Sequence, residues 1–282
     1  MSVADGLDGL TCVVTGGAQG IGYAAALALA RRRGRVAILD IDGNAAEHAA
    51  GEIAAATGVR TIGIACDVSV DVDVTTAMTH VADQLNGMHV LVNNAGIMTP
   101  RLARAADMML EDFDRMIAVH VRGTFLCSRA AVPFMERARY GRIVNISSVL
   151  GLMGVPFRIG YAAAKTAING ITRSLAVEVA RKGVTVNAIA PGYILTEALR
   201  KRLQEGKLDY DTYAERAPVG RWGLPAEVAH AIAFLALPAS GFITGAVIPV
   251  DGGITMRGDA GEDIGPRPAS TDDVEALFRR DA

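Results

Sequence analysis

The sequence predicts an α/β fold, a single doubly wound domain in which a parallel seven-stranded sheet carries helices on both faces. Short apolar runs alternate with longer segments of helical periodicity along most of the chain. Strands that are apolar at every position, rather than at every second one, are typical of parallel sheets covered on both sides. No Pro-, Gly- or Ser-rich linker interrupts the alternation, so we predict one domain rather than two.

The apolar runs and the helical segments follow each other in a regular order. We predict strands over Leu10–Thr15, Val36–Asp40, Thr61–Cys66, Val90–Asn93, Arg142–Ile146, Val184–Ala190 and Val247–Val250. We predict helices over Gly20–Arg32, Asn44–Ala56, Val72–Leu85, Leu110–Arg137, Ile159–Lys182 and Ala226–Leu235.

Two regions depart from this order. Residues 193–225 form a long, charged insertion after a predicted strand, and such insertions often cover a functional site, so we predict a lid. We assign residues 1–255 to this single domain and residues 256–282 to a C-terminal extension. Within that extension the segment that begins at Ser270 has the pattern of an N-capped helix.

Composition excludes several classes of protein. The chain has 282 residues, of which 51% are hydrophobic, and a net charge of −2. The near-neutral balance argues against a nucleic-acid partner, which would select a basic stripe. No apolar run reaches the length of about eighteen residues that a membrane span needs, and the N-terminus lacks a signal-peptide pattern. We therefore expect a cytoplasmic protein that does not bind membranes.

Cysteine and histidine spacing gives no sign of a metal. The three cysteines, Cys12, Cys66 and Cys127, are scattered along the chain and contain no Cys-x-x-Cys pair. We interpret them as small buried side chains in a reducing compartment. None of the five histidines has the spacing of a zinc motif, so we predict no metal site.

A glycine-rich turn, Thr15–Gly22, lies between the first predicted strand and the first predicted helix. Gly16, Gly20 and Gly22 let the backbone turn tightly and approach a pyrophosphate, which the N–H groups at the helix start can bind. The sequence therefore predicts a dinucleotide site of the Rossmann type. Asp40 ends the second strand, where a carboxylate accepts from a ribose hydroxyl and repels a 2′-phosphate. This favours NAD over NADP, unless Asp40 serves only as a helix cap or turn residue.

Tyr161 and Lys165 stand four residues apart in a segment that favours helix, and Ser148 precedes Tyr161 by thirteen residues. Residues i and i+4 are neighbours on one helix face, so the ammonium can lie beside the phenol. A charge at about 4 Å is worth roughly 4 kcal/mol at an effective dielectric of about 20, or about three pKa units. We expect this to lower the pKa of Tyr161 toward neutrality, with Ser148 holding the substrate oxygen.

Three further segments complete an ordered series of motifs: Asn93–Gly96, Pro191–Gly192 and Val250–Gly253. With this series the chain resembles the short-chain dehydrogenase/reductases over Leu7–Gly253. The resemblance implies that Ser148, Tyr161 and Lys165 are catalytic. It also implies that the cofactor is bound by Gly16, Gln19, Gly20, Ile21, Gly22, Asp40, Asp67, Val68, Asn94, Gly96, Tyr161, Lys165, Pro191, Gly192, Ile194 and Thr196, with Asp67 near the adenine and Asn94 near the adenosine ribose.

One position departs from the pattern of the family. His120 stands where the family usually has an asparagine that holds a water in the proton relay to the lysine. Imidazole titrates near neutrality, so His120 could join the relay as a fourth catalytic residue. The alternative is a packed helical histidine without a role in the chemistry.

The resemblance implies an NAD-dependent oxidoreductase that moves a hydride between the nicotinamide and a secondary alcohol or ketone, with Tyr161 as general acid and base. A 3-oxoacyl-thioester reductase is an alternative that basic residues of the lid keep open, namely Arg200, Lys201, Arg202 and Lys207. We favour the interpretation that these residues form a solvated helix face. A non-catalytic NAD-binding regulator is a further alternative. The family also implies a homo-oligomer, commonly a tetramer, with a small-molecule substrate as the other partner.

Overall fold

The structure, a computed structural model, describes residues 6–258 together with residues 272 and 275. Within that part of the chain the strands are β1 (Thr11–Thr15), β2 (Arg35–Asp40), β3 (Thr61–Ala65), β4 (Val90–Asn93), β5 (Gly141–Ile146), β6 (Val184–Pro191) and β7 (Val247–Val250). They form one parallel sheet in the order β3-β2-β1-β4-β5-β6-β7. The predicted seven-stranded, doubly wound sheet is confirmed.

The helices alternate with these strands, as predicted. They are α1 (Gly20–Arg31), α2 (Gly43–Thr57), α3 (Asp71–Leu85), α4 (Leu110–Met116), α5 (Gly123–Ala138), α6 (Ile159–Val179), α7 (Glu197–Gln204), α8 (Tyr210–Ala214) and α9 (Pro225–Ala236). A π-helical turn, Ile117–Arg122, joins α4 to α5. The single helix that we predicted over Leu110–Arg137 is therefore one helical path that contains a wide turn.

Two apolar cores lie on opposite faces of the sheet. Side chains of β1 alternate between them, since Cys12 and Val14 pack with α1, α2 and α9, whereas Val13 packs with α3, α5 and α6. All three side chains are fully buried. Because successive strand residues point to opposite faces, strands that are covered on both sides must be apolar at every position.

Residues 193–225 build a small core of their own around Trp222. The Trp222 side chain is buried, and its Nε1 donates to the Tyr210 carbonyl at 3.0 Å. The Tyr193 and Tyr213 rings meet edge to face at 4.7 Å between centroids. This insertion, which holds α7 and α8, is thus packed rather than open, and its role as a lid stays a prediction.

The C-terminal extension lies mostly outside the described residues, including most of the helix predicted from Ser270. Asp272 and Glu275 are described, and both are helical. Arg200 of α7 donates to Glu275 Oε1 at 2.7 Å, which ties the extension to the predicted lid of the same chain. In the part of the chain that the structure describes, no helix has the length and apolar character of a membrane span.

Gly63 of β3 lets α2 lie close to the sheet. A Cβ at Gly63 would stand 2.3 Å from the Ala46 carbonyl carbon of α2. We expect Gly63→Ala to lower the free energy of unfolding by about 1–3 kcal/mol, because α2 would have to move away from the sheet. Equilibrium urea denaturation, followed by circular dichroism, measures this change.

Gly51, on the exposed side of α2, is a matched control. A Cβ there meets no atom within 4 Å. Gly51→Ala should therefore raise the free energy of unfolding by about 0.5–1 kcal/mol, since alanine is the better helix former. Equal stability of Gly63→Ala and the parent protein would contradict the close contact between β3 and α2.

Candidate active site

The predicted site residues come together at one edge of the sheet. Parallel strands end at the same edge, and ligands of such sheets bind beyond these carboxyl ends. The glycine turn follows β1, Asp40 ends β2, and Asp67 follows β3. Asn94 follows β4, Ser148 follows β5 and Pro191 ends β6.

The glycine turn forms a cradle that side chains would fill. Gly16 and Gly20 have φ of 60° and 57°, in the left-handed region that favours glycine. A Cβ at Gly16 would lie 2.8 Å from Ala95 Cα, and one at Gly22 would lie 2.1 Å from the Gly16 carbonyl oxygen. Gln19 precedes α1 without a side-chain cap. The first N–H groups of α1 are thus suited to a pyrophosphate, and the turn fits the dinucleotide that the sequence predicts.

Asn94 binds the glycine turn itself. Its Nδ2 donates to the carbonyls of Thr15 and Gly16 at 3.0 and 2.8 Å. Thr15 Oγ1 in turn accepts from the backbone N–H groups of Asn94 and Ala95 at 3.1 and 3.0 Å. The Asn94 side chain thus fixes the shape of the cradle, and the place near the adenosine ribose that the resemblance implied stays a prediction.

The two predicted aspartates also make local hydrogen bonds. Asp40 accepts from the backbone N–H groups of Ala18 and Asp42, both at 3.2 Å. Asp67 Oδ1 accepts from the Ser69 N–H and hydroxyl at 2.9 and 2.7 Å. Asp40 therefore bonds within the turn at the end of β2, as the alternative interpretation expects. A carboxylate has further acceptor sites, which are sufficient for a ribose hydroxyl as well.

The remaining predicted cofactor residues lie around this cradle. Val68 is buried, and a Cβ at Gly123 would stand 2.8 Å from its Cγ2. Ile21, in the first turn of α1, is half-buried and packs against the apolar core on that face of the sheet. Gly192 N donates to the Val250 carbonyl at 3.0 Å, and Thr196 lies near enough to Gly20 that a Cβ there would meet Thr196 Cγ2 at 3.4 Å. Ile194 is buried and bridges to Gly223.

Ser148 lies beside Tyr161, close enough to influence the pKa of the phenol. Ser148 is buried at the end of β5, where its Oγ accepts from the Leu150 N–H at 3.2 Å. Burial raises the pKa of Tyr161, while the hydrogen bond with Ser148 and the charge of Arg158 act in the opposite direction. Arg158, which our sequence reasoning did not single out, stands three residues before Tyr161 at the start of α6.

Lys165 is buried under the tyrosine. Its Nζ donates to the Ile146 carbonyl at 2.7 Å and lies 5.5 Å from the centre of the Tyr161 ring. Burial lowers the pKa of Lys165 to about 7. Our expectation that Lys165 brings the pKa of Tyr161 down toward neutrality was wrong for this structure, because burial has the largest effect on both groups and disfavours their charged forms.

His120 lies in the π-helical turn and is 2% exposed. Its Nε2 lies 2.9 Å from the Ile97 carbonyl oxygen and 3.2 Å from the Ile97 nitrogen. Its ring meets Tyr161 edge to face at 5.4 Å, and its Cε1 would stand 2.5 Å from a Cβ at Gly96. Burial and the charge of Lys165 lower the pKa of His120 to about 3. The premise that this imidazole titrates near neutrality was therefore wrong.

A buried polar network beneath the site was not predicted from the sequence. Asn93 Nδ2 donates to Asn145 Oδ1 at 2.8 Å, and Asn145 Nδ2 donates to Thr172 Oγ1 at 2.9 Å. These bonds join β4, β5 and α6. Asparagine is unusual inside an apolar strand, so its presence in two neighbouring strands was a signal that could have revealed the network.

The chain is similar to known proteins over most of its length. The family model described as "Enoyl-(Acyl carrier protein) reductase" matches residues 16–255. The chain is 38% identical over 245 residues to 2-(S)-hydroxypropyl-CoM dehydrogenase 3 of Xanthobacter autotrophicus, covering 86% of this chain and 95% of that protein. It is also 38% identical over 248 residues to a 3-oxoacyl-acyl-carrier-protein reductase of Aquifex aeolicus, covering 88% and 98%.

Solved structures of short-chain type dehydrogenase/reductases have the same fold. A short-chain type dehydrogenase/reductase from Mycobacterium marinum superposes with a TM-score of 0.83 at 32% identity, covering 91% of this chain and 100% of that one. Fold and site thus define an oxidoreductase of CH–OH groups that uses a nicotinamide cofactor. The chain belongs to the short-chain dehydrogenase/reductase family.

The burial of His120 predicts how stability depends on pH. Its pKa is about 3 in the folded chain, against about 6.5 in the unfolded chain. Between these values the unfolded state binds the extra proton, so the free energy of unfolding falls as pH falls. From pH 6.5 to pH 4 this contribution reaches about 3 kcal/mol.

His120→Asn should remove that contribution, so its unfolding free energy should fall less steeply from pH 6.5 to pH 4 in urea denaturation. His48→Asn is the matched control, because His48 has a side chain that is 78% exposed. It should keep the pH dependence of the parent protein. Parallel curves for the parent and His120→Asn would contradict the low pKa.

Proposed function

We propose that this chain is an NAD-dependent dehydrogenase or reductase that transfers a hydride between the nicotinamide and a secondary alcohol or ketone. The observation that carries the proposal is the meeting of Ser148, Tyr161 and Lys165 beside the glycine turn. The geometry of the cradle and the acidic residue at the end of β2 support NAD as the cofactor. The similarity to a hydroxypropyl-CoM dehydrogenase supports a secondary alcohol as the substrate.

Each side chain of the trio has a distinct task in this proposal. When bound, the nicotinamide accepts or supplies the hydride. Tyr161 exchanges the hydroxyl proton of the substrate, and the Ser148 hydroxyl, which lies beside the phenol, stabilises the charge that develops on the oxygen. The Lys165 ammonium donates one N–H to the Ile146 carbonyl. Its two other N–H groups can donate to the cofactor ribose and to the proton path.

We place His120 beside the proton path as a neutral positioning group rather than as an acid. With a pKa of about 3 it carries no charge near neutral pH. Its Nε2 holds the backbone of Ile97, just after the Asn93–Gly96 segment, and its ring packs on Tyr161. His120 would thus orient the tyrosine and the cofactor-facing loop.

A 3-oxoacyl-thioester reductase is the second candidate, and the similarity to the Aquifex aeolicus enzyme favours it. The basic residues of the insertion support it less than the sequence suggested. Arg200 pairs with Glu275 at 2.7 Å, and Lys207 pairs with Glu205 at 2.7 Å. Asp40 argues against the NADP that such reductases commonly use. For a non-catalytic regulator, the described part of the chain offers no feature in its favour. The homotetramer and the cytoplasmic location stay predictions.

Tyr161→Phe removes the proposed acid and base. We expect kcat to fall by about 10²–10⁴-fold, while the dissociation constant of NAD changes little. Steady-state kinetics with a secondary alcohol and fluorescence titration with NADH measure the two quantities. Tyr140→Phe is the control, because Tyr140 bonds Ala236 at the opposite end of β5. If Tyr161→Phe retains turnover, the proposed mechanism is wrong.

Asp40→Asn removes the charge that we propose as the basis of cofactor choice. We expect the ratio of kcat/KM for NAD to that for NADP to fall at least about tenfold, which is about 1.4 kcal/mol. Asp42→Asn is a matched control, since Asp42 caps α2 through the Ala45 N–H at 3.0 Å. It should change the ratio much less. A parent enzyme that prefers NADP would rule out the assignment of NAD.

A further inference from the structure

The chain is strained just before the catalytic helix. Phe157 has a φ of 64°, in the left-handed region that a bulky side chain rarely adopts. Such backbone is costly and persists where the surroundings require it, often at functional sites. Arg158, the next residue, precedes the first residue of α6 with φ −132° and ψ 27°. The turn at Phe157 thus determines where the Arg158 side chain leaves the backbone.

Arg158 acts on the reacting end of the site. It caps the start of α6 and stands three residues before Tyr161, so one helical turn separates the two residues. Its charge favours the phenolate of Tyr161, so the guanidinium lies within electrostatic reach of the phenol. A group bound by Arg158 would therefore stand close to the atom that exchanges the proton.

The guanidinium of Arg158 has unused binding capacity. Its Nη1 has a long hydrogen bond of 3.4 Å to Thr99 Oγ1, which is near the limit for such a bond. Among residues 6–258, 272 and 275, no Asp or Glu forms an ion pair with it. By contrast, Arg101 pairs with Asp112 at 2.9 Å. A half-buried guanidinium without a carboxylate is ready to bind an anion in its planar, bidentate geometry.

Exposed apolar side chains stand near this cation along the chain and in the loop that it contacts. Phe157 is 53% exposed, Met98 is 49% exposed and Met153 is 38% exposed. Met98 belongs to the loop that also carries Thr99, and the other two precede α6. An apolar rim with one cation suits a substrate that has a short hydrocarbon part between its hydroxyl carbon and an anionic end.

We infer that Arg158 binds an anionic oxygen group of the substrate, so that the preferred substrates are secondary alcohols or ketones that carry a carboxylate or a similar oxyanion. This inference rests on the proposed function and adds a specificity-determining residue to it. The substrate anion would neutralise Arg158 at the mouth of the site, while its hydroxyl lies between Tyr161 and Ser148.

The test is a panel of matched substrates assayed with NAD and with NADP. The panel contains secondary hydroxy acids in which one, two or three methylene groups separate the hydroxyl carbon from the carboxylate, each paired with its neutral primary amide. The measured quantity is the ratio of kcat/KM for the acid to kcat/KM for the amide. We expect about a 10- to 100-fold preference for the acid at the best spacing, as a charge-assisted pair provides.

Arg158→Gln should bring that ratio close to one, and Arg158→Lys, which keeps the charge but not the planar fork, should give an intermediate ratio. Arg173→Gln is the matched control. It makes the same change on an exposed position of α6, and it should leave both the ratio and the activity as they are in the parent enzyme. Circular dichroism melting curves show whether each variant is folded. If Arg158→Gln does not fold, Arg158→Lys still tests the inference.

The outcomes separate this inference from the proposed function. Turnover of the panel without a preference for the acids, or a preference that survives in Arg158→Gln, would overturn the role of Arg158 and leave the oxidoreductase assignment intact. Absence of turnover with every alcohol and both cofactors would overturn the proposed function and, with it, the role of Arg158.

Discussion

The bond between the Lys165 ammonium and the Ile146 carbonyl is the contact on which the site depends. At 2.7 Å it joins the helix that carries Tyr161 to the strand that leads into Ser148. Neighbouring bonds strengthen the same junction, since Ser147 Oγ donates to the Lys165 carbonyl at 3.1 Å and Asn169 Nδ2 to the Gly151 carbonyl at 3.1 Å. A buried ammonium needs such partners, because burial without them would be costly. The hydrogen bond that the lysine makes therefore also positions the tyrosine.

Burial governs the electrostatics of the whole site. It raises the pKa of Tyr161, lowers that of Lys165 to about 7 and lowers that of His120 to about 3. All three shifts favour the neutral form. Charge at the reacting centre thus depends on specific compensation, from the Ser148 hydroxyl and from Arg158. This explains why a simple estimate of the attraction between an ammonium and a phenol gave the wrong direction for Tyr161.

Much of the fold could be predicted from the sequence, for a physical reason. A parallel strand that is covered on both faces has to be apolar at every position, and the helices between strands show their own period, so the element order can be read from the residues. The glycine turn was predictable because backbone crowding excludes any side chain at Gly22. The π-helical turn at Ile117–Arg122 was not predicted, because the whole segment was interpreted with the period of a regular α-helix.

The sequence by itself predicted the order of the elements, the cradle for a dinucleotide and the trio of Ser148, Tyr161 and Lys165, because these depend on local backbone requirements and on residue types at definite spacings. The tertiary structure alone decided the direction in which burial shifts the pKa of Tyr161, Lys165 and His120, and it alone showed that Asn94 binds the glycine turn. It also showed that Arg158 has no carboxylate partner among the described residues. These properties depend on how much water and which charges surround a group, and segments distant in the chain supply both.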